Sequence, residues 1–381
     1  MMTSMAESNL PFPFLFIEPE EPPIDPTPSF DLTGMVARIS GRARPTGTRD
    51  KILVLETCGG RDIQADELVA ELARRGAPVH YFHTADFLRA CRLSLRLGGI
   101  EPTRGTLELP TGDLALDEVK SVWFRGPDLA PIDGADLEGE AVHFARRETD
   151  AALFGMFGLL RDAFWVNPPD AERAAEEKLR QLKVAESVGL RIPRTLVTND
   201  PQAAREFFAA CNGQMILKTF RRVAGRREER PERLILTNRV LAENLEQMDR
   251  VRHTPCLFQE YVPKDVELRV TIVGRRVFAA EIHSQRSPIS RDDYRRYDFA
   301  NTPYYPHTLP APIENALLKM QEGYGLSFAA IDMIRRPDGE HVFLELNANA
   351  QFLWIQDLTG LPIKQELAEM LVRGAMDGES V

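Results

Sequence analysis

Three oxygen-bearing side chains, Asp332, Glu345 and Asn347, fall within Ser327 to Asn347, which reads SFAAIDMIRRPDGEHVFLELN. Two apolar runs are joined there by Pro337-Asp338-Gly339, the composition of a β-hairpin turn. Residues two apart on a strand share a face, so Glu345 and Asn347 are expected to point the same way, with Asp332 brought beside them by hairpin pairing. Two carboxylates and an amide oxygen form a hard donor set suited to Mg²⁺ holding a polyphosphate. The competing reading is an ordinary hairpin with these side chains in solvent. Two lysines upstream weigh against it. Lys178 lies on a predicted helix, EEKLRQLKVAESVGL, and Lys218 closes the apolar strand QMILKTF, so each is expected to project a cation from a rigid element toward a common cleft. A lysine at the end of an apolar strand is an uncommon placement, whereas a helix lysine is ordinarily solvated.

The run PCLFQEYV reads as a buried strand that exits into Gln259, Glu260, Tyr261 and Val262. Such an exit can offer backbone N–H and C=O groups to an adenine edge, with apolar side chains against its faces. Glu267 is placed to accept from ribose hydroxyls. Arg269, on the same strand face, can present a planar fork to a phosphate or a carboxylate. An interstrand salt bridge is the alternative for both residues. Directly after Lys218, FRRVAGRREERPER is rich in arginine and carries Gly225 near its middle, which suggests a lid over the phosphates with Arg221 and Arg222 in reach.

Behind these residues stands a chain of 381 residues, 43% hydrophobic and 27% charged, with apolar material for two or three domains. A net charge of -10 argues against nucleic acid as the main partner, since phosphate neutralisation needs a basic face. Cys58, Cys91, Cys211 and Cys256 lack paired metal spacing and fit unbridged thiols in a reducing compartment. His80 and His83 occupy the strand-like run VHYFH, where a spacing of three puts them on opposite faces rather than on one metal. No apolar run reaches transmembrane length and no signal-like start is present, so the expectation is a cytoplasmic protein without a membrane partner.

The expected organisation is α/β (α+β) in four parts. Residues 1–48 read as a flexible, proline-rich acidic extension containing Phe12, Phe14 and Phe16. Residues 49–132 open as βαβ, with strand KILVLET, a helix through Arg75, strand Val79 to Phe82 and strand SVWFR ending at Arg125, which implies a parallel sheet. Gly59-Gly60 reads as a turn there, because the full dinucleotide glycine fingerprint is lacking. Residues 133–255 follow as a small central domain, with helices over Gly139 to Leu160, Glu172 to Val188 and Gln202 to Ala210, and strands at Thr195 to Thr198, Met215 to Phe220 and Leu234 to Thr237. Residues 256–376 form a C-terminal antiparallel-sheet domain. It holds the hairpin VELRVTIVGRRVFAAEIHSQ turning at Gly274-Arg275, a helix from Ile313, the Asp332–Asn347 hairpin and a closing helix over Pro362 to Val372.

Taken in order, Lys178, Lys218, QEYV, ELR, Asp332 and ELN resemble the ATP-grasp superfamily of carboxylate ligases. More narrowly, WFRGP at 123–127, NPPDAERAAEEKLRQLKVAESVGLRIPRTLVTND, FQEYVPKDVELRVTIVGRRVFAAEIHSQ and FLELNANAQFLWIQ resemble the microviridin-type, MvdC/MvdD-like peptide ligases. Those are graspetide maturases, which close ester or amide macrocycles inside a ribosomal precursor peptide. The resemblance covers roughly Lys51 to Val372. It implies an ATP-grasp fold with an N-terminal pre-ATP-grasp domain, ATP and Mg²⁺ as cofactors, a precursor peptide of leader plus core as partner, and a homodimer. Carried over by position, it implies ATP phosphate contacts from Lys178 and Lys218, and adenine recognition around Gln259, Glu260, Tyr261 and Val262. It further implies ribose at Glu267, phosphate or acceptor carboxylate at Arg269, and Mg²⁺ at Asp332, Glu345 and Asn347, with Arg269 and Lys218 as the catalytic pair. Two positions depart from the family pattern: Asp293-Tyr294-Arg295 stands where Asp-Trp-Arg is usual, and Asn347-Ala348-Asn349 where Asn-Pro-Asn is customary. The helix near Ile313 and the Thr271 to His283 hairpin are the surfaces expected to meet a leader, whose recognition motif PFPFLF loosely resembles. Rival readings are a RimK-like ligase adding amino acids to a protein or small acid, and a nucleotide-binding pseudoenzyme that captures peptide.

Overall fold

The computed structural model describes residues 49–56, 62–98, 104–126, 139–220, 237–296 and 298–376. The extension with Phe12, Phe14 and Phe16, Cys58 with the Gly59-Gly60 turn, residues 234–236 of the expected Leu234–Thr237 strand, and the Arg221/Arg222 lid lie outside the described residues.

The first stretch has the expected parallel sheet. Strand β1 (Lys51–Glu56), helix α1 (Ile63–Arg74) and strand β2 (Val79–His83) make the βαβ opening. Asp62 caps α1 by accepting from Gln64 N at 2.9 Å. Strands β3 (Arg92–Arg96), β4 (Arg104–Leu109) and β5 (Gly112–Ala115) then form a separate three-stranded antiparallel sheet, absent from the sequence expectation. Strand β6 (Val119–Phe124), helix α2 (Glu140–Leu159) and strand β7 (Phe164–Val166) complete a parallel sheet of order β2-β1-β6-β7.

The single helix expected over Glu172 to Val188 is two helices, α3 (Pro169–Ala175) and α4 (Lys178–Ser187). The intervening sequence is rich in helix formers, so propensity alone predicts continuity. The break falls at Glu177, whose backbone is extended (φ -74, ψ 94), and Gln181 Nε2 donates to Ala175 O at the end of α3.

Next come β8 (Thr195–Thr198), α5 (Pro201–Ala210), β9 (Met215–Lys218), β10 (Asn238–Val240), a 3₁₀ segment (Ala242–His253) and β11 (Cys256–Glu260). The four strands form an antiparallel sheet of order β10-β9-β11-β8. Its apolar face, with Met215, Leu217, Val240 and Phe258, packs on Ala204 and Met248.

The last stretch supplies β12 (Val266–Val273), β13 (Arg276–Ile282), β14 (Tyr304–His307), helix α6 (Ala311–Tyr324), β15 (Phe328–Arg335), β16 (His341–Asn347), α7 (Leu353–Thr359) and α8 (Ile363–Arg373). All pairs in the five-stranded sheet β14-β13-β12-β15-β16 are antiparallel. The β12–β13 turn falls at Gly274-Arg275 as expected, with Gly274 at φ +59, a region that glycine enters without steric cost.

These elements divide into two compact units, interleaved along the chain. Pro193–Pro263 with Pro288–Asp298 belong to one; the described residues of 43–192, 264–287 and 299–381 belong to the other. The parallel sheet and the five-stranded sheet thus fall in one unit. Among the described residues, no helix is long and apolar enough to cross a membrane.

Candidate functional site

In the larger unit, strand periodicity sorts core from chemistry. On β12, Val266, Leu268, Val270 and Ile272 join one apolar cluster, and on β15, Ala329, Ile331 and Met333 join the same cluster. The alternating residues Glu267, Arg269 and Asp332 therefore share the opposite face. On β16 a regular strand would not suffice, because Phe343 and Leu346 both enter that cluster although they are three residues apart. The register shift opposite Asp332/Met333 resolves this: Met333 pairs with Phe343, and Asp332 with Glu345, which leaves Leu344 as the extra residue of a β-bulge. The bulge turns Glu345 and Asn347 onto the face of Asp332. Asp332 is opposite Glu345, and Ala330 opposite Asn347.

Each carboxylate of this group meets a cation. Arg269 and Asp332 are direct cross-strand partners, with Nη1 to Oδ1 at 2.9 Å, and Arg269 Nη2 donates to Gln351 O at 3.2 Å. Glu345 Oε2 is 3.2 Å from Lys178 Nζ. Lys178 is the first residue of α4, where helix N–H groups already present positive partial charge. A lysine there is unfavourable for the helix alone and well suited to an anion. Glu267 is buried, and its Oε1 accepts from Lys264 Nζ at 2.7 Å. Lys264, a lysine with a side chain only 3% exposed, escaped the sequence reading because nothing in PKDVELR marks it as buried.

The donor set fits a hard divalent cation. Among the described residues there is no cluster of three or more His, Cys, Asp or Glu side chains able to hold a metal. Asp332, Glu345 and Asn347 offer two carboxylates and one amide oxygen, a donor set that Mg²⁺ could use only with water and substrate phosphate completing its shell.

The surrounding frame is built from buried amides. Asn167 Oδ1 accepts from Ser327 N and Phe328 N at 2.8 and 2.9 Å, while its Nδ2 donates to Phe328 O and Ala348 O at 2.9 and 2.8 Å. One side chain thereby ties the start of β15 to the exit of β16. Arg125, from WFRGP, forks onto Asp62 with Nε and Nη2 each at 2.9 Å and also bonds Asn349. Gly126 beside it lies at φ +54, a left-handed conformation that side chains rarely adopt, and a Cβ there would lie 2.7 Å from Asn349 Nδ2. Burial drives the Glu172 carboxyl up to about 8, against the opposing pull of the Arg125 charge.

In the smaller unit, Lys218 ends β9 opposite Leu257 of β11. Gln259 is buried, with Nε2 donating to Thr195 Oγ1 at 3.0 Å. Glu260 accepts from Arg194 N and Nε at 3.0 and 2.7 Å. The backbone N–H groups of Glu260 and Tyr261 donate to Arg194 O and Gln214 O at 3.0 and 2.8 Å. These internal bonds narrow what the expected adenine-binding exit can offer through those groups. Tyr261 lies beneath the Arg239 guanidinium, 3.6 Å from ring centroid to Cζ, and Val262 is buried. Asp293, in the Asp-Tyr-Arg element, accepts from Arg295 Nε at 2.8 Å and from Thr237 N at 3.2 Å.

Comparison with known proteins agrees with this architecture. Residues 53–173 match the model of the MvdD pre-ATP grasp domain, and residues 175–371 match the RimK-like ATP-grasp domain. A RiPP-associated ATP-grasp ligase of Chryseobacterium gregarium, solved with ADP and a leader and core peptide, is 30% identical, with 86% of this chain and 97% of that one covered and a TM-score of 0.77. The macrocyclase MdnC of Microcystis aeruginosa MRC, solved with precursor peptide MdnA, is 28% identical over 85% of this chain and 99% of that one, with a TM-score of 0.73. A probable alpha-L-glutamate ligase of Klebsiella pneumoniae (strain 342) is 24% identical over 260 residues, 67% of this chain and 81% of that protein. Fold and family models together define an ATP-grasp ligase. The chain belongs to the microviridin-type group of that family, in which an MvdD pre-ATP-grasp domain precedes a RimK-like ATP-grasp domain.

Proposed function

We propose that this ligase uses ATP to activate a Glu or Asp side chain of a ribosomal precursor peptide and then closes an ester or amide macrocycle. The observation that carries the reading is the single sheet face bearing Glu267, Arg269, Asp332, Glu345 and Asn347, with Lys178 at 3.2 Å from Glu345. Support for the peptide substrate comes from the relatives solved with precursor peptides. Mg²⁺, held by Asp332, Glu345 and Asn347, would neutralise phosphate charge. Lys178 and Lys218 contact the phosphates; Gln259, Glu260, Tyr261 and Val262 frame adenine; Glu267 accepts from ribose; Arg269 orients phosphate or the reacting carboxylate.

In the first step a carboxylate oxygen attacks the γ-phosphorus, the bond to the β-phosphate oxygen breaks, and ADP leaves. In the second, a Ser or Thr hydroxyl or a Lys amine attacks the acyl carbon, phosphate leaves, and the nucleophile gives up its proton. The chain's own residues supply positioning and charge stabilisation for both steps. The proposed organisation is the pre-ATP-grasp, central and C-terminal division of the sequence reading, in a cytoplasmic protein acting as a homodimer.

Co-expression of the full chain with a peptide encoded by a neighbouring reading frame tests the reading: the peptide loses one water per ring, seen by mass spectrometry. ADP release with free glutamate, without any such peptide losing water, favours the amino-acid ligase suggested by the Klebsiella relative. Absence of ADP release with either substrate, while ATP and peptide still bind, would leave only a peptide-capturing pseudoenzyme.

A further inference from the structure

We infer that Gln181 is a positioning residue that aims Glu345 and Asn347 by holding the peptide groups on both sides of Leu346. Gln181 is 3% exposed, and its amide is used on both sides. Its Oε1 accepts from Leu346 N at 2.8 Å, and its Nε2 donates to Leu346 O at 2.8 Å and to Ala175 O at 2.5 Å. The N–H of Leu346 belongs to the peptide that follows Glu345, and its C=O to the peptide that precedes Asn347. One amide therefore fixes the two peptide planes that set the directions of both side chains. On the opposite edge of β16, pairing with β15 sets the register.

The same residue links this strand to the helix cation. Gln181 is three positions after Lys178 on α4, so the two side chains project from one helix face. Lys178 reaches Glu345 while Gln181 grips the next residue, which makes cation and oxygen donors one rigid piece. Outer residues of this kind orient metal ligands and strongly affect metal affinity. The inference rests on the reading of Glu345 and Asn347 as Mg²⁺ ligands, and the test separates failure of one from failure of the other.

The full chain, wild type and as Gln181→Leu, Gln181→Glu and Glu345→Gln, is titrated with Mn²⁺ in the presence of ADP and followed by electron paramagnetic resonance. Metal-free ADP affinity and thermal melting are measured alongside. Gln181→Leu is expected to weaken Mn²⁺ binding about tenfold or more, with metal-free ADP affinity unchanged. Gln181→Glu keeps the acceptor for Leu346 N–H and is expected to fall between wild type and Gln181→Leu; it also serves if Gln181→Leu does not fold. Wild-type Mn²⁺ affinity in both Gln181 variants, with Glu345→Gln impaired, overturns the positioning role. Equal losses of metal-free and Mn²⁺-dependent ADP binding also overturn it, since they mark general damage. Unimpaired Mn²⁺ binding in Glu345→Gln overturns the metal reading itself.

Discussion

Lys178 Nζ stands 3.2 Å from Glu345 Oε2, at the first turn of a helix whose N-terminus is itself positive. Helix stability alone would select an acidic residue there. The arrangement is better explained by a phosphate that both the lysine and the helix terminus attract, with Glu345 as the lysine's partner on β16. Lys178→Met is therefore expected to raise the apparent KM for ATP about tenfold, near 1.4 kcal/mol in binding. A steady-state assay of ADP release reads this, and an unchanged KM removes Lys178 from the phosphate contacts.

Arg269 and Asp332 are buried together as direct cross-strand partners, so removing either charge strips the other of a buried charged contact. Arg269→Ala is expected to cost about 3–5 kcal/mol of stability, seen as a lower urea midpoint. The double variant Arg269→Ala/Asp332→Ala should cost clearly less than the sum of the single variants. Additive losses would show that the pair is not coupled.

Burial shifts the Glu172 carboxyl far upward. Its folded value of about 8 lies above its ordinary 4.5, because burial disfavours the charged form. The folded state holds the proton more tightly, so stability present below pH 4.5 is lost progressively as pH rises toward 8. Glu172→Gln cannot ionise and should melt at a higher temperature than wild type at pH 8.5, with little difference at pH 5. Identical melting profiles at both pH values refute the assignment.

Asp293 shows the converse. Burial opposes its ionisation, yet hydrogen bonds and charge from Arg295, with a backbone bond from Thr237, hold its carboxyl below the ordinary 3.8. A depressed folded value contributes stability above the ordinary carboxylate range, which is lost as pH falls through the folded value. Asp293→Asn should destabilise the protein at pH 7, with the difference shrinking below pH 4. A constant difference across that range would argue for packing rather than charge.

Much of the face carrying Glu267, Arg269 and Asp332 was legible because a two-residue period separates it from the core. VELRVTIV and FAAIDMIR alternate core residues with Glu267, Arg269 and Asp332, and the Gly274 turn announced its hairpin. The Leu344 bulge was not legible: it exists only in the pairing of two strands, and FLELN alone does not show which residue is extra. Gln181 was hidden for a related reason. On a polar helix it reads as a solvated side chain, and its role appears only when Leu346 is packed beside it. The β3–β5 sheet was missed because short strands such as RLSLR alternate with exposed arginines and carry little apolar signal.

The outer margin of β16 has a further consequence. Strand margins with open backbone groups invite other chains to add themselves. Here Gln181 occupies the N–H and C=O of Leu346, and Arg191 O accepts from Phe343 N at 2.8 Å. A helix amide and a single loop carbonyl thus do the work of a missing sixth strand. That margin therefore offers fewer open backbone groups to an added strand, with no neighbouring strand to crowd Glu345 and Asn347.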